Sequence, residues 1–175
     1  MAGDVIDFCN KRQIDYSQLP GGMYVEKVEA YVRGLRMFPV GVGVIVEIGH
    51  ESLFGGVAAA EGFTVEGVNL PEDMHAWAGK EVNAVLCRHV LEHSPIPLLV
   101  ILNVFESLKA GGYFLAVVPK AETEYILKME THITVLPREA WEHLFEMAGF
   151  EAVKYEEDMF NGQHYEMRFL LRRNK

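Results

Sequence analysis

The chain has 175 residues, half of them hydrophobic, with a formal net charge of −9 and two cysteines. That is one domain's worth of sequence, with enough apolar surface for a core and no room for a second catalytic domain. Lys and Arg gather nowhere except in the tail Arg172-Arg173-Asn174-Lys175, so the electrostatic footprint of a nucleic-acid binder is missing and an anionic membrane is a poor partner.

Met1 to Asp7 lacks a basic start and a long apolar run, so neither a signal peptide nor a membrane span is expected. Cys9 falls in a polar segment and Cys87 at a strand end. That is not the spacing of a disulfide scaffold or a zinc site, and a reducing, cytoplasmic setting is expected. Residues 4–15 suit a short helix capped by Asp4 and broken by Gln18-Leu-Pro-Gly-Gly22. Tyr24 to Met37 is a stronger helix, with Val25, Val28, Val32 and Leu35 on one side and Glu26, Lys27, Glu29 and Arg33 on the other.

Val42 to Gly49 reads as the first strand, Phe54 to Glu61 as a helix, and Phe63 to Leu70 as the second strand. Glu81 to Cys87 is a short apolar run without charge after its first residue, as in a central parallel strand. After the connection Arg88 to Pro97, apolar residues at Leu98, Ile101, Leu102, Phe105 and Leu108 predict an amphipathic helix closed by Gly111-Gly112. Tyr113 to Val118 is the next strand, stopped by Pro119. A polar connection, Lys120 to Thr134, leads to a helix opened by Pro137 and closed by Gly149, with Trp141, Leu144, Phe145 and Ala148 on its core face. Phe150 to Tyr155 and Tyr165 to Arg172 then suit an antiparallel pair. In the second of these, Met167, Phe169 and Leu171 alternate with Arg168, Leu170 and Arg172.

The pattern is α/β: a mostly parallel sheet with helices on both faces and a C-terminal antiparallel hairpin. It forms a single domain over 1–175, with an N-terminal helical segment (1–38) and an α/β core (42–172). In such a sheet the ligand sits at the carboxyl ends of the strands. Here those ends are Glu47 to Ser52, Asn69 to Met74 and Cys87 to His93, which should converge on one crevice. His89 and His93 are four apart and would share a helix face, but no third ligand has a supporting spacing, so no metal is expected.

The string Val85-Leu-Cys-Arg-His-Val-Leu-Glu-His93, with Glu106-Ser-Leu-Lys-Ala-Gly-Gly-Tyr113 and Val117-Val-Pro119, resembles the second half of a class I S-adenosylmethionine-dependent methyltransferase. The resemblance implies a reduced Rossmann-like fold, because only Glu72 to Lys80 stand where the family has a further helix and strand. It implies S-adenosylmethionine as cofactor and methyl transfer to a small-molecule acceptor. Glu47, Gly49, His50 and Glu51 occupy the family's glycine-rich loop, with Glu51 and Leu53 where its second and third glycines would be. Asn69 and Leu70 stand at the ribose position, where the family has an acid. An alternative alignment makes Asp73 and Met74 the neighbours of the base. Cys87, Arg88 and His89 form the cofactor side of the third stretch, with His89 facing the crevice while Glu92 and His93 hold the turn. His132, with Thr134, falls in the acceptor-side loop, where imidazole suits proton transfer. The catalytic candidates are therefore His89 and His132. The same departures at Glu51, Leu53 and Asn69 also suit a protein of this fold that has lost catalysis and serves as a binding or assembly module. A nicotinamide dehydrogenase fits less well, since His50-Glu-Ser-Leu is a poor dinucleotide loop. A shortened sheet with an exposed edge invites a homodimer.

Glu51 and Asn69 generate a quantitative expectation. A hydrogen bond to a charged acceptor contributes about 1.5–3 kcal/mol against about 0.5–1.5 kcal/mol for a neutral one. Restoring the acid while removing the carboxylate beside the cofactor's own should therefore strengthen binding. Glu51→Gly combined with Asn69→Asp is expected to tighten S-adenosylmethionine binding by at least about tenfold in calorimetric titration at matched salt. Weaker binding by the double variant would show that the loop is built around Glu51.

Overall fold

A computed structural model describes residues 24–49, 52–68, 81–121, 124–160 and 163–174. In chain order they form α1 (Tyr24–Leu35), β1 (Val44–Ile48), α2 (Ser52–Ala60), β2 (Thr64–Val68), β3 (Val82–Arg88), a 3-10 turn (Leu91–His93), α3 (Pro97–Ser107), β4 (Leu108–Pro119), α4 (Glu124–Lys128), α5 (Arg138–Met147), β5 (Phe150–Phe160) and β6 (Gln163–Arg173). The helix expected over 4–15 and the shortened stretch 72–80 lie outside the described residues. Among the described residues, no helix is long and apolar enough to cross a membrane.

The six strands form one sheet in the order β2-β1-β3-β4-β6-β5. β1 pairs parallel with both β2 and β3, and β3 pairs parallel with β4. β6 runs antiparallel between β4 and β5. The chain steps outward from β1 to β2 and then returns to the other side of β1 for β3. That reversal is the switch point at which open α/β sheets bind ligands.

Both faces of the sheet are covered. On one, Val28, Tyr31 and Leu35 of α1 and Phe54, Val57 and Ala58 of α2 pack on Ile45, Leu86, Leu115 and Leu170. On the other, Val100, Ile101 and Val104 of α3 and Trp141 and Phe145 of α5 pack on Val46, Val85, Phe114 and Phe169. The strands therefore present apolar side chains to both layers, which is why β3 and β4 read as continuous apolar runs.

Three local expectations are corrected. The buried stripe of α3 is Pro97, Val100, Ile101, Val104 and Ser107, whereas Leu102 is 38% exposed. Ser107 is tolerated on that face because its hydroxyl donates to Asn103 O at 2.8 Å. The helix also ends before Gly111-Gly112. Its last carbonyls are taken by Arg173 of β6, which donates to Phe105 O at 2.8 Å and Glu106 O at 3.2 Å and also reaches Leu108 O. A cation on the C-terminal carbonyls does the work expected of a glycine cap. The two glycines instead lie inside the twelve-residue β4. Thirdly, β6 is buried on both faces from Met167 to Leu171, because it lies between two strands under two helical layers. The expected polar connection 120–134 also contains the short α4, with Ile126 buried.

Two glycines make opposite predictions. A Cβ at Gly112 would stand 2.9 Å from Lys109 O and 3.0 Å from Asn83 O, both backbone atoms, whereas one at Gly56, inside α2, would meet nothing within 4 Å among the described residues. Gly112→Ala should destabilise by about 1–3 kcal/mol through overpacking. Gly56→Ala should stabilise by about 0.4–1 kcal/mol by restricting the unfolded chain. Denaturant midpoints of the two variants should shift in opposite directions.

Candidate functional site

β1 and β3 end side by side at the switch point, with Glu47 opposite Leu86 and Ile48 opposite Cys87. Gly49 follows with φ +76°, and a Cβ there would lie 2.4 Å from Cγ2 of Val90. Only glycine lets the segment after β3 cross so close to the end of β1. Glu47 is 3% exposed, points to the α1 layer and accepts a hydrogen bond from the Tyr31 hydroxyl at 3.2 Å. Burial, then the charge of Glu47, raises the Tyr31 phenol well above its ordinary value.

Beyond β3 the chain turns through His89, a residue other than glycine with positive φ, at +52°. Its amide donates to Val117 O at 2.9 Å. A left-handed conformation costs about 1–3 kcal/mol in a residue with a side chain, and such residues gather at functional sites. Here the conformation sets the imidazole between two carboxylates: Nδ1 is 3.0 Å from Glu92 Oε1 and Nε2 is 3.0 Å from Glu166 Oε2. Glu166 also accepts from Arg88 at 3.2 Å and from Arg168 at 2.9 and 2.8 Å. Arg168 in turn reaches Asp158, which also accepts from Arg33 of α1 at 2.7 Å. A charged chain thus runs beneath the strand ends from the 3-10 turn through β6 and β5 to α1.

The two ends of the imidazole bridge titrate in opposite directions. Burial and the neighbouring Arg88 disfavour the imidazolium of His89, but its bonds to Glu166 and Glu92 outweigh them and raise its pKa. Burial likewise disfavours the Glu166 carboxylate, but Arg88 and then His89 hold its pKa below the ordinary value. Burial and the nearby Arg33 lower the pKa of Arg168 to about 10.

A crevice of about 320 Å³ opens over these strand ends. Lys27, Glu47, Gly49 and Phe54 form one wall. The other is Arg88, His89, Glu92 and His93, closed by Ile126, Met129 and His132. The 129–134 loop is strapped to the 3-10 turn. Ile133 and Thr134 donate their amides to Glu92 O at 2.8 and 2.9 Å, and the Thr134 hydroxyl donates to Ser94 O at 2.7 Å. Nδ1 of His93 meets Thr131 O at 2.8 Å, and Nδ1 of His132 meets Ile126 O at 3.0 Å.

The structure therefore brings Glu47, Gly49, Arg88, His89 and His132 to one crevice. Cys87 is not among the residues that line it. Its thiol lies fully buried in the α3/α5 layer, where burial and then Glu92 push its pKa up. His50, Glu51, Asn69, Leu70, Asp73 and Met74 lie outside the described residues. Glu92 and His93 make turn-holding hydrogen bonds, Glu92 O with the 133–134 amides and His93 Nδ1 with Thr131 O, while His89 lines the crevice. Glu92 and His93 line the crevice too, and Glu92 carries His89. Sequence reading missed Tyr31, Glu166 and Arg168. Tyr31 sits three residues from Val28 on an apolar stripe, and Glu166 and Arg168 look like the solvent face of an alternating strand.

The sequence matches the family described as Methyltransferase domain over residues 44–155. No curated protein matches it. Among solved structures, a SAM dependent methyltransferase from Archaeoglobus fulgidus superposes with a TM-score of 0.68 at 17% identity, covering 84% of this chain and 93% of that one. The mitomycin 7-O-methyltransferase MmcR superposes with 0.66 at 14% identity, over 86% of this chain and 55% of its own. The methyltransferase CalH, complexed with SAH, superposes with 0.60 at 17% identity, over 75% of this chain and 51% of its own. This chain spans about half the length of the last two. At such identities the likeness is one of fold.

The imidazole bridge can be tested by stability. His89→Ala leaves both oxygens of the buried Glu92 without a partner among the described residues and should destabilise by about 1–3 kcal/mol. Glu166 has a depressed folded pKa, so its contribution is complete above the ordinary value of 4.5 and is lost as pH falls through the lower folded value. Between about pH 5 and pH 3 the natural protein should therefore lose more stability than Glu166→Gln, as read from thermal midpoints. Parallel acid limbs for the two proteins would show that Glu166 carries no such linkage.

Proposed function

The chain belongs to the Methyltransferase domain family, and we propose that it moves the sulfonium methyl of S-adenosylmethionine to a small-molecule acceptor in the crevice over β1 and β3. One observation carries this reading: the crevice lies at the switch point of the sheet, with a left-handed glycine at the end of β1 and charged residues at the end of β3. The described residues fit the cofactor. Gly49 lines the crevice with backbone, its side-chain direction being closed by Val90. Lys27 and Arg88 beside Glu47 supply both signs of charge, which suits an amino-acid moiety bearing an ammonium and a carboxylate. The volume of about 320 Å³ falls at the low end of the roughly 300–1,000 Å³ typical of small-molecule sites.

When bound, the cofactor supplies an electrophilic methyl group on sulfur. The protein's contribution is then mostly positional. His89 is a positioning residue, because both ring nitrogens are engaged by carboxylates and neither lone pair is left to take a proton. His132 is placed differently. With its Nδ1 hydrogen on Ile126 O, the lone pair is on Nε2 in a half-buried ring at the mouth of the crevice, where it can accept a proton from the acceptor.

Calorimetric titration with S-adenosylmethionine and with its demethylated product should each give one site per chain. His132→Ala should bind both with unchanged affinity. Its turnover with thiol and phenol acceptors should fall by about 10²–10⁴-fold, the usual contribution of a general base. Failure of the natural protein to bind either ligand would contradict the reading and favour a non-catalytic module of the same fold.

A further inference from the structure

Three side chains on one wall of the crevice share a chemistry that cofactor binding does not require. One nitrogen of His93, one nitrogen of His132 and one carboxylate oxygen of Glu92 lie within 4.8 Å of one another. The two rings stand edge to face, with centroids 5.0 Å apart. In both, Nδ1 faces a backbone carbonyl, Thr131 O at 2.8 Å and Ile126 O at 3.0 Å. A carbonyl on Nδ1 fixes the neutral tautomer with its lone pair on Nε2, which is how metal-binding histidines are held.

Glu92 supplies the independent observation. It is fully buried, and Oε1 faces His89, yet among the described residues Oε2 has no hydrogen-bond partner. Leaving a buried carboxylate oxygen bare is costly. Holding the turn accounts for the Nδ1 contact of His93 but not for the bare oxygen, nor for its convergence with two imidazoles from separate segments. The amide bonds of Ile133 and Thr134 to Glu92 O hold those segments together without help from any ion.

We propose that Glu92, His93 and His132 form a binding site for a divalent transition-metal ion of the zinc class. Two imidazole nitrogens with one carboxylate oxygen suit such an ion, whereas magnesium and calcium favour oxygen ligands throughout. Zinc bonds of about 2.0–2.2 Å set tetrahedral ligand atoms roughly 3.4 Å apart. The three groups must therefore close by about an ångström, within reach of side-chain rotation at the exposed His93. His89, itself braced by Glu166, orients the carboxylate from behind, as carboxylate–histidine pairs do around bound metals. The set differs from the His89–His93 pair that the spacing suggests: His89 stands behind Glu92, and His132, distant in sequence, brings the second imidazole. Three protein ligands leave one position for water or an acceptor heteroatom. That last role, unlike the ion site itself, rests on the methyltransferase reading, and in the loaded protein the His132 lone pair is given to the ion rather than to a proton.

The test uses the untagged full chain, stripped with a chelator and free of S-adenosylmethionine. Zn²⁺ is titrated by calorimetry, and Co²⁺ by visible absorption as a probe of ligand geometry. One ion per chain is expected, with a higher thermal midpoint. His93→Ala and His132→Ala should each weaken binding by about tenfold or more, whereas His143→Ala, an exposed histidine on α5, should not. These exposed and half-buried rings carry the test, because Glu92→Gln risks the fold. No stoichiometric uptake, or an affinity in both histidine variants equal to that of the natural protein, overturns the proposal. With the cofactor absent, either result leaves the cofactor titration standing or falling by itself.

Discussion

Glu92 and Glu166 are both almost without solvent exposure, and two carboxylates buried that close would repel each other unless a cation stood between them. His89 stands there, with one ring nitrogen 3.0 Å from each, and although burial opposes it those bonds raise its pKa. The left-handed backbone at His89 is what puts the ring there, so the local cost of that conformation is offset by the pairing it allows. The amide of His89 meanwhile continues the pairing of β3 with β4 through Val117. Strand end, turn and charged chain are thereby fixed at one residue.

Much of the crevice depends on that bridge. Glu92 bonds His89 through its side chain and the 133–134 segment through its backbone carbonyl, so one residue couples the strand end to the loop that carries His132. On the far side Glu166 links the bridge through Arg168 to Asp158 and then to Arg33 on α1. Buried charges in such a chain are weak evidence of stability, because well-packed apolar residues often do as well. They do set one arrangement of the strand ends, and a site that positions an acceptor requires that.

The layers and the order of elements were legible from residues 42–172, because buried parallel strands leave apolar runs and the α5 stripe of Trp141, Phe145 and Ala148 leaves a helical period. What was not legible has specific causes. The α3 stripe was misplaced by one position because Leu98, Leu102 and Phe105 are as apolar as the residues that face the sheet. The glycine pair has the pattern of a helix stop, whereas Arg173, more than sixty residues away, caps the helix. Glu166 and Arg168 looked like a solvent face because a buried ion network has the same alternation as an exposed one. Nothing in the spacing of His89 and Glu92 reveals that a third group, Glu166, stands behind the imidazole and joins them. The convergence of His132 on Glu92 and His93 belongs to tertiary structure alone.

The function proposed for this chain requires that the cofactor bind in the crevice over β1 and β3. The most direct measurement is an experimental structure of the chain with the demethylated cofactor bound. Ligand density is expected against the backbone of Gly49 and beside Arg88 and His89, with the imidazole still bridging Glu92 and Glu166. Density seated elsewhere, for instance in the groove between α5 and β5 lined by Arg138, Glu146 and Tyr155, would contradict it.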